Sequence, residues 1–205
     1  PVTHEPVMSS TETRQDLGLP EDALVLACFN NVYKFNPTLF GVWMRVLAQV
    51  DDAVLWVLDD NDSATQQIQQ HVASHGIAIE RVVFAKRTSH LNYRARLQMA
   101  DLYLDTTPYN AGSTARDVVD AGLPMVTFSG QTVVSRMAGS LLNSLGLSEL
   151  IAHDVHAYEQ LILALANDRS RVTTYRHTLL QSAPQRAGAS ARLTKSLEQQ
   201  LLTLL

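Results

Sequence analysis

Apolar and polar positions along this chain alternate between two rhythms. Short runs that are apolar nearly throughout, Leu24–Asn30, Ala53–Leu58 (AVLWVL), Arg81–Phe84, Leu102–Asp105 (LYLD) and Pro124–Phe128, are separated by segments whose apolar residues recur every three or four positions. The runs read as strands buried on both faces, and the segments between them as helices laid over the sheet. Helices are predicted over Pro37–Val50, Ala64–His75, Ser89–Met99, Thr114–Ala121, Val133–Leu145, Val155–Asn167, Ser170–Gln181 and Ala189–Leu205. Pro37 suits a first helical turn, and Gly76 and Gly122 suit helix ends. The alternation predicts an α/β fold, a doubly wound parallel (Rossmann-like) sheet with a C-terminal helical extension. Residues 1–22, polar with three prolines, read as a linker, residues 23–181 as the sheet lobe and residues 182–205 as a C-terminal helix. Pro1, in place of an initiator methionine, suggests a domain taken from a longer protein.

Composition narrows the partners. A formal net charge of −4 over 205 residues argues against a broad nucleic-acid surface, which needs a basic stripe, but leaves room for a focused phosphate pocket. No apolar run approaches the length of a membrane span, and no signal peptide is visible. The single cysteine, Cys28, lies inside the run LVLACF and reads as a buried strand residue; with no possible intrachain disulfide, a cytoplasmic location is expected. Seven histidines (His4, His71, His75, His90, His153, His156, His177) offer no metal-ligand set, since His71 and His75 lack a nearby third ligand. No GxGxxG, Walker A, HExxH or GxSxG motif is present.

Ligands of doubly wound sheets bind beyond the carboxyl ends of the strands. Asn31–Lys34, Asp59–Asp62, Ala85–His90 and Thr106–Ser113 all fall there. In FNNVYK (Phe29–Lys34), Lys34 can neutralise a diphosphate or be a solvated loop lysine; a phosphate-type loop on the same sheet edge favours the first. That loop is DTTPYNAGSTARDVVDAGLPMV (Asp105–Val126), where Gly112, Ser113 and Thr114 open a helix and Asp117 follows one turn later. Helix N–H groups hold anions and a carboxylate holds ribose hydroxyls, but Ser and Thr also cap helices and an acid also complements the helix dipole. Both readings of these residues stay open on spacing alone. Asp60-Asn61-Asp62 has the form of a DxD metal site, yet Asp-Asn-Asp-Ser is favourable turn chemistry and the turn is preferred.

FNNVYKFNP, VLWVL, RVVF, MADLYLDTTPYN, STARDVVDAGLPMVTFSG and SRMAGSLLNSLGLSELIA together resemble, in order and spacing, the C-terminal catalytic lobe of the O-GlcNAc transferase (SPINDLY-like) glycosyltransferases. The resemblance runs from about Gly18 to about Arg176. It implies the donor lobe of a two-lobed GT-B enzyme, inverting and metal-independent, that transfers GlcNAc or a related sugar from a UDP-sugar to protein side chains. It also implies an N-terminal lobe and helical TPR repeats elsewhere in a full-length protein, and no cofactor. A lobe without its partner is expected to bind nucleotide without catalysing transfer. A non-catalytic nucleotide-binding scaffold, or another GT-B enzyme such as a UDP-sugar epimerase, is the alternative.

Carried over position by position, Lys34 matches the family lysine on the donor diphosphate and is the expected catalytic residue. Asn31 falls at a donor contact, Thr88 where the backbone reads uracil and Arg96 at an arginine near the base. Ser113 and Thr114 match the hydroxyl pair on the phosphates, and Asp117 the ribose-binding aspartate. Three positions depart from the family pattern: His90 stands for a lysine near the ribose, Tyr93 for a histidine that stacks on uracil, and Gly112 for a histidine in the phosphate loop.

Overall fold

In the computed structural model, residues 7–187 and 189–203 are described. Six parallel strands form one sheet: β1 Leu24–Cys28, β2 Ala53–Asp59, β3 Val82–Lys86, β4 Leu102–Leu104, β5 Met125–Phe128 and β6 Ile151–Ala152. Their order across the sheet is β3-β2-β1-β4-β5-β6. Every residue of β1 and β4 is buried, as strands covered on both faces must be. The helices between them are α1 Pro37–Gln49, α2 Asp62–Ser74, α3 His90–Arg96, α4 Ser113–Asp120 and α5 Met137–Ser144; α6 Val155–Ala166, α7 Arg169–Gln181, α8 Ala183–Ala187 and α9 Ala189–Leu202 follow β6. None of the described helices is long and apolar enough to cross a membrane.

Local chemistry explains the boundaries. Asn36, Asn61, Ser89 and Asp154 each accept a backbone N–H three residues on, capping α1, α2, α3 and α6. Gly76 and Gly122 take the left-handed backbone (φ 71° and 72°) that releases the chain after α2 and α4. Asp60-Asn61-Asp62 is therefore the β2–α2 turn with Asn61 as its cap.

Four segments differ from expectation. α5 begins at Met137, four residues later than the periodicity predicts, because the Thr132 and Ser135 hydroxyls hydrogen-bond within their own turn and the Val134 carbonyl accepts the Asn110 N–H. β6 has two residues, too few to leave a periodic signal. The C-terminal extension is two helices, α8 and α9, rather than one; Leu205, where that helix was expected to end, and His4 lie outside the described residues. The predicted linker is docked over residues 7–22: Leu19 is buried, and the Arg14 guanidinium reaches the Met99, Glu21 and Ala23 carbonyls and pairs with Asp101 at 2.9 Å.

Candidate nucleotide-binding site

The strand order reverses direction between β1 and β4, which lie side by side while β2 and β5 lead outward. The loops leaving two such strands diverge and leave a crevice between them. Asn30–Lys34 leaves β1 there and Asp105–Gly112 leaves β4.

The second loop is built around one buried carboxylate. Asp105 Oδ1 accepts the N–H groups of Thr106 (2.8 Å) and Ala111 (2.7 Å) and the Asn30 amide (3.1 Å), while Oδ2 accepts the Thr127 hydroxyl (2.7 Å). Complete burial pushes the Asp105 carboxyl up to about 6, and those four donors hold it from rising further. The Asp105 carbonyl accepts the Tyr158 hydroxyl at 2.9 Å, and Tyr158 accepts the Trp43 indole N–H at 3.3 Å, so α6 and α1 both brace the loop. The Asn110 side chain donates back to the Thr106 and Phe128 carbonyls. Sequence reading passed over Asp105; its one signal was an acid closing an otherwise apolar strand.

Lys34 ends a short 3-10 turn, Val32–Lys34, and spans the crevice. Its ammonium donates to the Asn110 carbonyl at 3.0 Å and lies 4.1 Å from the centre of the Tyr109 ring. The lysine is thus held against the loop that leads into α4. Gly112 stands at the N-cap of α4 and has no side chain with which to cap it, so no side-chain oxygen occupies the first-turn N–H groups. A Cβ at Gly112 would meet the Met137 methyl at 3.0 Å, which leaves little room there for a bulkier residue.

Asp117 faces α3. Its Oδ2 lies 3.1 Å from His90 Nε2 and its Oδ1 3.4 Å from Nε of the buried Arg94. The α3 side of the crevice also holds Tyr93, whose ring packs edge-on against Phe29 at 6.0 Å and tilted to His90 at 6.0 Å. Burial, then the charge of Asp117, push the Tyr93 phenol up, and Thr114 offsets this only in part. Arg96 is committed: it forms a two-pronged pair with Glu12 (2.7 and 2.6 Å) and donates to the Lys86 carbonyl at 3.0 Å.

These groups surround one cleft of about 380 Å³. Of the residues singled out from sequence, Asn31, Lys34, Thr88, His90, Tyr93, Arg96 and Thr114 line it. Gly112 and Ser113 start α4 next to Thr114, and Asp117 joins through His90. Phe29, Leu58 and Ala85 form an apolar floor. Arg87, which sequence reading did not single out, lines the cleft as well. Among the described residues no group of three or more His, Cys, Asp and Glu is placed to hold a metal ion. Asp60 pairs instead with Arg87, and Asp59 accepts the Thr65 hydroxyl.

A six-stranded parallel sheet flanked by helices in this order is the fold of the C-terminal lobe of GT-B glycosyltransferases. The chain belongs to glycosyl transferase family 41, whose profile matches residues 2–191. It is 31% identical over 165 residues to a probable UDP-N-acetylglucosamine–peptide N-acetylglucosaminyltransferase, SEC, of Arabidopsis thaliana, covering 80% of this chain and 17% of that protein. The Caenorhabditis elegans UDP-N-acetylglucosamine–peptide N-acetylglucosaminyltransferase is 31% identical over 164 residues, covering 80% of this chain and 14% of that protein. The chain thus spans less than a fifth of the length of either relative. Among solved structures, a lysine-to-methionine mutant of Thermobaculum terrenum O-GlcNAc transferase superposes with a TM-score of 0.78 at 25% identity, over 90% of this chain and 38% of that one. Anabaena HepE, solved with UDP and glucose, shares the fold at a TM-score of 0.65 and 14% identity, over 91% of this chain and 51% of that one.

Proposed function

We propose that this chain is the donor-binding lobe of a UDP-sugar-dependent, metal-independent inverting glycosyltransferase that transfers GlcNAc or a related sugar to protein side chains. The observation that carries the reading is Lys34 held by the Asn110 carbonyl beside the open N-terminus of α4. A diphosphate set between them meets a cation on one side and helix N–H groups on the other. The uracil end then falls toward Thr88, Tyr93 and Arg96, and the ribose toward His90 and Asp117. The sequence relationship to peptide N-acetylglucosaminyltransferases supports a protein acceptor.

In the transfer, an acceptor oxygen or nitrogen bonds to the sugar's anomeric carbon as the bond from that carbon to the UDP oxygen breaks. The acceptor proton passes to a base, and negative charge collects on the departing UDP. In this reading Lys34 and the N–H groups of Ser113 and Thr114 stabilise that charge as fixed donors with little reorganisation. The acceptor-side chemistry belongs to an N-terminal lobe, which pairs with this one in a full-length protein.

The test is single-turnover transfer from UDP-GlcNAc by this lobe together with its N-terminal lobe. Lys34→Ala, folded by thermal melt, is expected to lower kcat by about 10²-fold or more, with a smaller rise in KM. Lys34→Arg is expected to recover little, since a planar fork does not reproduce a compact ammonium. Normal turnover in Lys34→Ala would remove the lysine from the mechanism.

A further inference from the structure

Lys34 and Arg87 are both cations lining the cleft, Lys34 tied to the loop after β4 through the Asn110 carbonyl and Arg87 entering after β3. Arg87 follows β3, and its guanidinium bridges the carboxyl ends of the two neighbouring strands. One Nη donates to Asn31 Oδ1, beyond β1, at 2.9 Å and to Asp60 Oδ1, beyond β2. The pairing is lopsided in exposure: 57% of the Arg87 side chain is open to solvent, against 23% for Asp60. Neither Asn31 nor Asp60 is fully buried, and an ion pair whose arginine is this exposed contributes little to the fold. Asp59 accepts the Thr65 hydroxyl and Asn61 caps α2, while Asp60 pairs with Arg87, a residue of the cleft lining.

We propose that Arg87 is a second diphosphate-binding residue, held in reserve by Asp60. This rests on the nucleotide reading of the cleft. With no anion bound, Asp60 neutralises Arg87 and keeps the guanidinium folded over the β1–β2 side. A nucleoside diphosphate brings two or three negative charges, more than Lys34 alone can balance. Phosphate oxygens compete with the single Asp60 carboxylate for a planar donor fork well shaped to receive them. Arg87 exchanges Asp60 for phosphate while keeping Asn31 as its pivot. Asp60 thereby sets affinity from outside the ligand: it lowers binding by the strength of the pair that must be broken, and it takes the arginine back when the diphosphate leaves.

The experiment is a calorimetric titration of the chain with UDP and, separately, with uridine, which lacks the phosphates. Arg87→Gln is expected to weaken UDP about tenfold, the usual effect of losing a hydrogen bond to a charged group, and to leave uridine unchanged. Asp60→Asn is expected to tighten UDP about threefold to tenfold by releasing the arginine. In the double variant the Asp60→Asn gain should vanish, and Arg87→Lys should keep part of the affinity. Thermal melts near the parent's would confirm folding. Three results would overturn the exchange: UDP affinity unchanged in Arg87→Gln, uridine weakened as much as UDP, or the Asp60→Asn gain persisting without Arg87, which would mark a long-range charge effect. A parent chain that binds no UDP removes the nucleotide reading and this proposal together; a parent that binds while either variant fails removes this proposal alone.

Discussion

At the scale of single residues, the side chains that differ most in legibility are Lys34 and Asp105. Lys34, Thr114 and Asp117 could be singled out because polar groups after an apolar run invite a chemical explanation. Asp105 follows β4, and while Thr106 and Ala111 lie near it in sequence, its other two donors, Asn30 and Thr127, come from distant loops and strands, so no local pattern marks the full set. Arg94 was hidden for the same reason: it is buried inside α3 and reaches Asp117 across to α4. Asp117→Ala is expected to weaken UDP by about 1–3 kcal/mol, and the penalty for replacing UDP with its 2′-deoxy analogue should shrink in the variant. Equal penalties in parent and variant would reduce Asp117 to a tie between α3 and α4. Asp105 makes a pH prediction. Its folded carboxyl titrates near 6, above the ordinary 3.8, so the native state binds the proton more tightly than the unfolded chain. Stability from this group is therefore full below about pH 4 and falls as pH rises through 6, by roughly 2–3 kcal/mol. Asp105→Asn can keep Oδ1 toward its three donors while the rotatable Thr127 hydroxyl accepts from the new amide. Chemical denaturation of parent and variant between pH 4 and 7 should show their stability difference changing by that amount; a constant difference would contradict the assignment.

At the scale of elements, β1 through β5 were legible because each is a short run that is apolar nearly throughout, β1 and β4 at every position. α1 and α6 were legible from their helical patterns, α2 as a polar helix ended by Gly76, and the structure adds the caps Asn36, Asn61 and Asp154 at their starts. β6 and the start of α5 were not, since they depend on hydrogen bonds to distant backbone: Ser129 N–H to the Ala152 carbonyl, and Asn110 N–H to the Val134 carbonyl. The end of α4 is a place where two constraints coincide. Gly122 has φ of 72°, and a Cβ there would lie 2.6 Å from the Leu180 side chain on α7. Gly122→Ala is expected to cost about 1–3 kcal/mol from the strained backbone and the crowded leucine together. A denaturation midpoint within error of the parent's would show that α7 yields without cost.

At the scale of the whole molecule, the sheet's switch point turns scattered sequence motifs into one cleft: loops from β1, β3 and β4 and the start of α4 converge there, on a chain whose net charge of −4 gives no general attraction for phosphate. Affinity for an anion must then come from the local arrangement of Lys34, α4 and Arg87 rather than from the overall field. The doubly wound fold was legible from the alternation of rhythms. The docking of residues 7–22 through Arg14 and the Glu12–Arg96 pair was not, because a polar segment with prolines reads as a connection until its partners are seen.

The most direct measurement is calorimetry of the chain with UDP and with ADP, each in EDTA and again with excess magnesium. The account predicts that UDP binds more tightly than ADP, as expected if Thr88, Tyr93 and Arg96 frame a uracil pocket, and that its affinity is the same with and without the metal. Equal affinity for ADP would contradict the uracil pocket. A strict requirement for magnesium would make Asp60 and Asp62 ligands and contradict a diphosphate held by Lys34 and the N-terminus of α4.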